Sequence, residues 1–185
     1  MKKTVLTFGL ISGGILSLMM AITFPFHDAI GFDKGAVVGY TSMVAAFMLI
    51  FFGIRSYRDN VAGGSVSFAR AFSVGMLIVV VATMCYVVTW EVIYFNFGSD
   101  FTAKYTAHTI EKARAGGASQ AEIDKKVADM RRFAELYRNP AINAAFTFLE
   151  PMPVGLIIAL VSAGILRRRP RGKERGSIGA EAVAS

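Results

Sequence analysis

Four apolar runs, each about 20 residues long, constrain this chain more than any other feature. They cover approximately residues 4–24, 36–54, 72–97 and 141–166. A hydrocarbon core of about 30 Å is crossed by roughly 20 apolar residues in a helix. Backbone inside that core must satisfy its own hydrogen bonds, which leaves helices as the economical solution for runs of this length. The expected class is therefore all-α, an integral membrane four-helix bundle. Composition agrees: 54% of the 185 residues are hydrophobic and the mean hydropathy is +0.50, above what soluble domains carry. The first run follows "MKK", as a secretory signal peptide would. It exceeds the usual signal core and no small-residue cleavage site follows, so a retained helix is expected.

A net charge of +7 suggests nucleic acid until the charges are located. Six of the twenty basic residues lie in "RRRPRGKER", directly after the fourth run. A nucleic-acid-binding protein would carry its basic residues on a folded face of a recognisable module, and none is present, so no nucleic-acid partner is expected. The cluster reads instead as a membrane anchor, with Arg167, Arg168 and Arg169 at the interface. Residues 1–169 form one expected membrane domain, and 170–185 an expected disordered basic cytoplasmic tail. Cys85 is the sole cysteine, without a disulfide or metal partner; packing is its expected role.

Four spans place both termini on one side. Lys2, Lys3, Arg55, Arg58, Arg70 and the terminal cluster share that side, whereas "PFHDAIGFDKG" opposes one lysine to Asp28 and Asp33. The positive-inside rule then puts both termini in the cytoplasm. The segment 99–139 becomes extracytoplasmic; it holds eight basic and six acidic residues, and longer loops follow the rule less closely.

That segment predicts an amphipathic helical hairpin between spans 3 and 4. "SQAE", residues 119–122, has capping-box form. Ile123, Val127, Met130, Ala134 and Tyr137 follow at steps of four, three, four and three, giving one apolar stripe. Glu122 with Lys126, and Glu135 with Arg138, are spaced to pair. "RAGGAS" divides this helix from an earlier one beginning near Asp100, for which Ser99 or Asp100 is the expected N-cap. Asn139-Pro140 has the chemistry that starts a helix. A solvated cap and a partner-docking surface are the two roles open to the hairpin.

Small residues let helices approach closely in lipid. Gly9 and Gly13, Gly35 and Gly39, and the ladder Gly155, Ala159 and Ala163 are the expected contact points.

The unusual chemistry is in "TFLEPMPVGLI", residues 147–157. Glu91 lies 21 residues beyond the anchor Arg70, and Glu150 lies 17 before the anchor Arg167. These separations are roughly 31 Å and 25 Å along a straight helix. Both carboxylates thus approach the same depth, near the outer boundary, with His27 and Asp28 at a similar level. Tyr86, Trp90 and Tyr94 read as an aromatic interfacial belt there. Pro151 cannot donate to the carbonyl of Thr147, nor Pro153 to that of Leu149. Each also biases Glu150 and Met152 away from the helical region, so Pro151 and Pro153 predict a kinked or unwound fourth span. A carboxylate beside freed carbonyls is an electronegative spot of the type that builds cation sites in discontinuous helices. Glu150, with Glu91 beside it, is the candidate ion or proton site, since ionisable residues within a membrane are candidates for function. The architectural alternative has Glu150 hydrated, or paired with Arg138 or Lys104, and a kink that only shapes the bundle.

Catalysis finds no footing. His27-Asp28 has no assignable nucleophile, and His108 has no metal-ligand partner at helical spacing. "VAGGSVSFAR" lacks the lysine of a phosphate-binding loop and follows no strand; Ser67 is better placed to cap span 3. No catalytic residue, metal site or cofactor is implied.

Two stretches resemble a known family. "GIRSYRDNVAGGSVSFARAFSVG", residues 53–75, is similar to the cytoplasmic connection of domain-of-unknown-function family 4199 (DUF4199). "FLEPMPVGLIIALVSAGILRRR", residues 148–169, resembles its closing helix. The resemblance implies a small multi-pass protein of the bacterial inner membrane, with Glu-Pro-x-Pro as a family feature. It implies no activity and no catalytic residues. The expected role is a structural or accessory membrane component. The competing expectation is a small transporter or proton/cation-responsive protein using Glu150. Expected partners are the lipid bilayer and, beyond it, another membrane protein or a second copy of the chain.

Overall fold

The computed structural model of the chain describes residues 1–98 and 100–168. Its elements are α1 (Lys2–Thr23), a 3-10 turn (Phe24–Phe26), α2 (His27–Ile30), α3 (Phe32–Asn60), α4 (Phe68–Phe97), α5 (Phe101–Ala115), α6 (Gln120–Tyr137), α7 (Pro140–Leu149) and α8 (Met152–Leu166). Four continuous stretches are long and apolar enough to cross a membrane: Lys2–Ile30, Phe32–Asn60, Phe68–Phe97 and Pro140–Leu166. The fold is all-α, with the shorter pair α5 and α6 between spans 3 and 4. Exposed side chains such as Leu10, Val37, Val88 and Ile157 give these spans the apolar outer surface that bilayer contact requires.

Close approach of backbones sets the packing. A Cβ on Gly9 would stand 2.7 Å from Val81 Cβ, and one on Gly13 would stand 2.7 Å from Cys85 Cβ. The two numbers rise together, so α1 and α4 run parallel. Further along the same seam, Ser17 Oγ donates to the Cys85 carbonyl (3.3 Å) and lies 2.8 Å from Thr89 Oγ1. Gly155 would bring a Cβ within 2.6 Å of Val79, and Gly75 would bring one within 3.1 Å of Ala159. Here one number falls as the other rises: α8 is antiparallel to α4. Ala159 and Ala163 are fully buried and complete the ladder. Phe47, Ile50, Ile54, Val74, Ile78 and Val79 fill the centre. Inside it, the buried Ser12 hydroxyl donates to the Ala46 carbonyl (3.1 Å).

The bundle has two unlike ends. At the tail end lie Lys2, the α3–α4 connection and Arg167. There Val66 and Arg168 exchange backbone hydrogen bonds of 3.2 and 3.0 Å, tying that connection to the end of α8. Arg58 is nearly buried and grips its neighbour Asp59 with two bonds, 2.6 and 3.1 Å. Arg70, Arg167 and Arg168 are exposed, while Arg169 and the expected tail lie outside the described residues. At the hairpin end, the connection between spans 1 and 2 is almost wholly helical. It breaks at Gly31, whose φ of 77° suits a residue without Cβ.

The hairpin follows its local chemistry. Ser119 accepts from the Glu122 amide while the Glu122 carboxylate accepts from the Ser119 amide, a complete capping box. Ile123 is buried and Val127, Met130, Ala134 and Tyr137 are half-buried, so the stripe faces inward. Glu122 is thereby committed to Ser119, and among the described residues no Glu122–Lys126 or Glu135–Arg138 ion pair forms. Asp100 occupies the N-cap of α5 without a side-chain capping bond, while Ser67 and Asn139 do cap α4 and α7. Ser99 is outside the described residues.

Two expectations need correction. Gly35 and Gly39 do not mediate packing: a Cβ at either position meets nothing within 4 Å, because α3 turns that face toward open space. Glu150 does not leave the helical region, with φ −61° and ψ −51°. Pro151 removes an amide donor, and the span is interrupted at Glu150 and Pro151, the two residues that separate α7 from α8.

Candidate functional site

The helices on either side of this interruption touch different neighbours. Below it, α8 packs on α3 and α4; above it, α7 packs on α4 and α6. The space between α1, α3, α4 and α7 at the hairpin end is a cavity of about 510 Å³. Gly35 and Gly39 form part of its α3 wall, which explains their open surroundings. Phe101, Thr102 and Tyr105 of α5 cover one side.

Glu150 stands in the wall of this chamber and is an exposed residue. The Tyr86 hydroxyl donates to Glu150 Oε2 over 3.0 Å. Among the described residues the carboxylate has no ion pair with lysine, arginine or histidine. Lys104 goes elsewhere, its Nζ 2.7 Å from Asp28 Oδ2, and Arg138 forms no ion pair with Glu150 among the described residues.

Beside Glu150 lies a polar network. Asn143 is fully buried. Its Oδ1 accepts from Trp90 Nε1 (2.9 Å) and Thr147 Oγ1 (3.3 Å), and its Nδ2 donates to the Tyr137 carbonyl (3.3 Å). The Tyr137 hydroxyl is 3.1 Å from Trp90 Nε1, and burial pushes its titration upward. Asn143, Thr147 and Glu150 recur at steps of four and three, one face of α7. Tyr86, Trp90 and Tyr94 recur at steps of four along α4. The aromatic residues were legible only as an interfacial belt, and Asn143 and Thr147 were not singled out. A polar i, i+4, i+7 pattern inside an apolar run is the signal that marks this face.

Glu91 does not join Glu150. It follows Trp90 by one residue, which rotates it off the chamber face. Its Oε1 is buried without a hydrogen-bond partner among the described residues. Glu91 is not among the residues that line the chamber.

The α5 cover is held by charge and by rings. Lys112 Nζ pairs with Asp33 Oδ1 at 2.6 Å, in parallel with Lys104 and Asp28. His27 and His108 flank Phe32, at ring separations of 6.1 and 5.3 Å, and each lies beside an aspartate, Asp28 at 3.0 Å and Asp33 at 3.6 Å. The hydrogen bond to Asp28 holds the Lys104 ammonium above the usual lysine range.

The family model described as "Protein of unknown function (DUF4199)" matches residues 7–168. The chain belongs to this family. The DUF4199 match spans the helix interruption, the chamber and the hairpin together, so the site lies within the family's common stretch. No curated protein and no solved structure matches the chain.

Proposed function

We propose that this DUF4199 protein is an accessory component of the bacterial inner membrane whose chamber carboxylate, Glu150, responds to a proton or a cation. The observation that carries this reading is Glu150 itself, set in a cavity wall with Tyr86 as its hydrogen-bond donor and, among the described residues, no basic side chain paired to it. An ionised carboxylate so placed is costly unless protonated or matched by a mobile cation. Architecture alone would be served by an apolar residue before Pro151. Both termini are assigned to the cytoplasm, because Lys2, Lys3, Arg55, Arg70, Arg167 and Arg168 gather at the tail end. The hairpin, and with it the chamber, then belongs to the extracytoplasmic side.

The test is thermal stability of the purified protein across pH and a panel of inorganic cations, beside Glu150→Gln. A bound ion stabilises by RT ln(1 + [L]/Kd), so wild type should show a concentration-dependent shift that the variant lacks. Identical responses would remove the ion site and leave Glu150 as architecture. Orientation is checked separately by labelling Ala128→Cys, on the exposed face of α6, with a membrane-impermeant maleimide in intact spheroplasts. Protection of that cysteine would reverse the assignment.

A further inference from the structure

We propose that the chamber is a binding site for a lipophilic organic cation, its charged centre held between Glu150 and surrounding aromatic faces. This rests on the reading of Glu150 as the charge-responsive group and adds the class of ligand.

Size is the first reason. A cavity of about 510 Å³ lies in the range that encloses drug-sized molecules, roughly 300–1,000 Å³; a bare inorganic ion needs no such space. The wall supplies the second. Phe24, Tyr86, Trp90, Phe101, Phe133 and Phe146 all line it. Hard inorganic cations take roughly six or more oxygen ligands, whereas weakly hydrated organic cations are attracted to ring faces, tryptophan best. Charge is the third. Among the described residues the lining includes one carboxylate and no lysine, arginine or aspartate; its one histidine, His27, lies beside Asp28 at 3.0 Å. An anionic or neutral guest would leave Glu150 without a countercharge. With Oε2 committed to Tyr86, Oε1 is left to face the guest. Gly35 and Gly39 contribute width, since neither puts a side chain into the space.

The chain contains one tryptophan, and Trp90 lies in the chamber wall, so its fluorescence reports on this site alone. The experiment titrates the purified full-length protein in detergent with tetraphenylphosphonium, with neutral triphenylphosphine oxide and with sodium chloride. Wild type, Glu150→Gln and Gly39→Leu are compared. Gly39→Leu enters open space, so it should fill the chamber while the protein keeps or gains thermal stability. The expected result is a saturable Trp90 response to the phosphonium and none to the oxide. Apparent affinity should be roughly tenfold or more weaker in Glu150→Gln, and the response should be lost in Gly39→Leu. Equal responses to oxide and phosphonium, or an undiminished phosphonium response in either variant, would overturn the proposal. A Glu150-dependent stabilisation by protons or inorganic cations, with no phosphonium response, would overturn the organic-cation site and leave the charge-responsive reading standing. No Glu150-dependent response to any probe would overturn both.

Discussion

The hydroxyl of Tyr86 and the carboxylate of Glu150, 64 residues apart in the chain, meet at 3.0 Å in the chamber wall. Tyr86→Phe removes that donor and should cost about 1.5–3 kcal/mol, the range for a hydrogen bond to a charged group. Glu150→Gln retains an acceptor. In its background Tyr86→Phe should cost less, and chemical denaturation of the four proteins in a double-mutant cycle would show the coupling. Strict additivity would mean that the contact contributes nothing.

Asn143 is the hub of the neighbouring network. Asn143→Leu keeps similar bulk but leaves Trp90 Nε1 and the Thr147 hydroxyl without their shared acceptor. A loss of about 2–3 kcal/mol is expected, together with a shift in Trp90 emission. Unchanged stability and emission would show that the network is dispensable.

The two prolines should behave differently. Pro153 lies in the first turn of α8, where a missing amide is tolerated, so Pro153→Ala should change stability by less than about 0.5 kcal/mol. Pro151→Ala restores a donor for the Thr147 carbonyl and closes the interruption, moving α7 across the chamber. Quenching of Trp90 by acrylamide should fall in Pro151→Ala and hold steady in Pro153→Ala. Equal quenching in both would separate the interruption from the chamber.

Glycines of the same spacing should also part company. Gly13→Val drives a branched side chain into Cys85, where even a Cβ sits at 2.7 Å, and should cost about 1–3 kcal/mol by overpacking. Gly35→Ala meets nothing and should stabilise by roughly 0.5–1 kcal/mol through helix propensity. Thermal melts of the two variants give opposite signs if the α1–α4 seam is as described.

The α5 cover should loosen with salt and at alkaline pH. Its pairs with Asp28 and Asp33 are solvent-exposed, so added salt screens them. The hydrogen bond to Asp28 raises the folded-state titration of Lys104. Its contribution is therefore complete below the ordinary lysine range and lost as pH rises through the folded value. Hydrogen exchange, corrected for its intrinsic pH dependence, should quicken in α5 in high salt and in Lys104→Ala with Lys112→Ala. The centres of α3 and α4 should be unaffected. Uniform quickening through the bundle would mean that α5 is integral to the core.

What the sequence determined by itself is everything whose cause is local. The four spans follow from the length of the apolar runs, and the hairpin from the capping box and its apolar stripe. The helix interruption at Glu150-Pro151 follows from a missing amide, which no tertiary contact can restore. Helix rotation and neighbour choice were decided elsewhere. Gly13 and Gly39 read alike in the chain, yet one is pressed against Cys85 and the other faces a cavity. Glu91 and Glu150 read as one level, yet only Glu150 enters the chamber. Tyr86 and Trp90 gave no local sign of Glu150 and Asn143 as their partners, because each partner lies on a helix more than 50 residues away in the chain. Such pairings arise from many weak packing preferences summed over whole helix faces, a quantity that exists only once the bundle has closed.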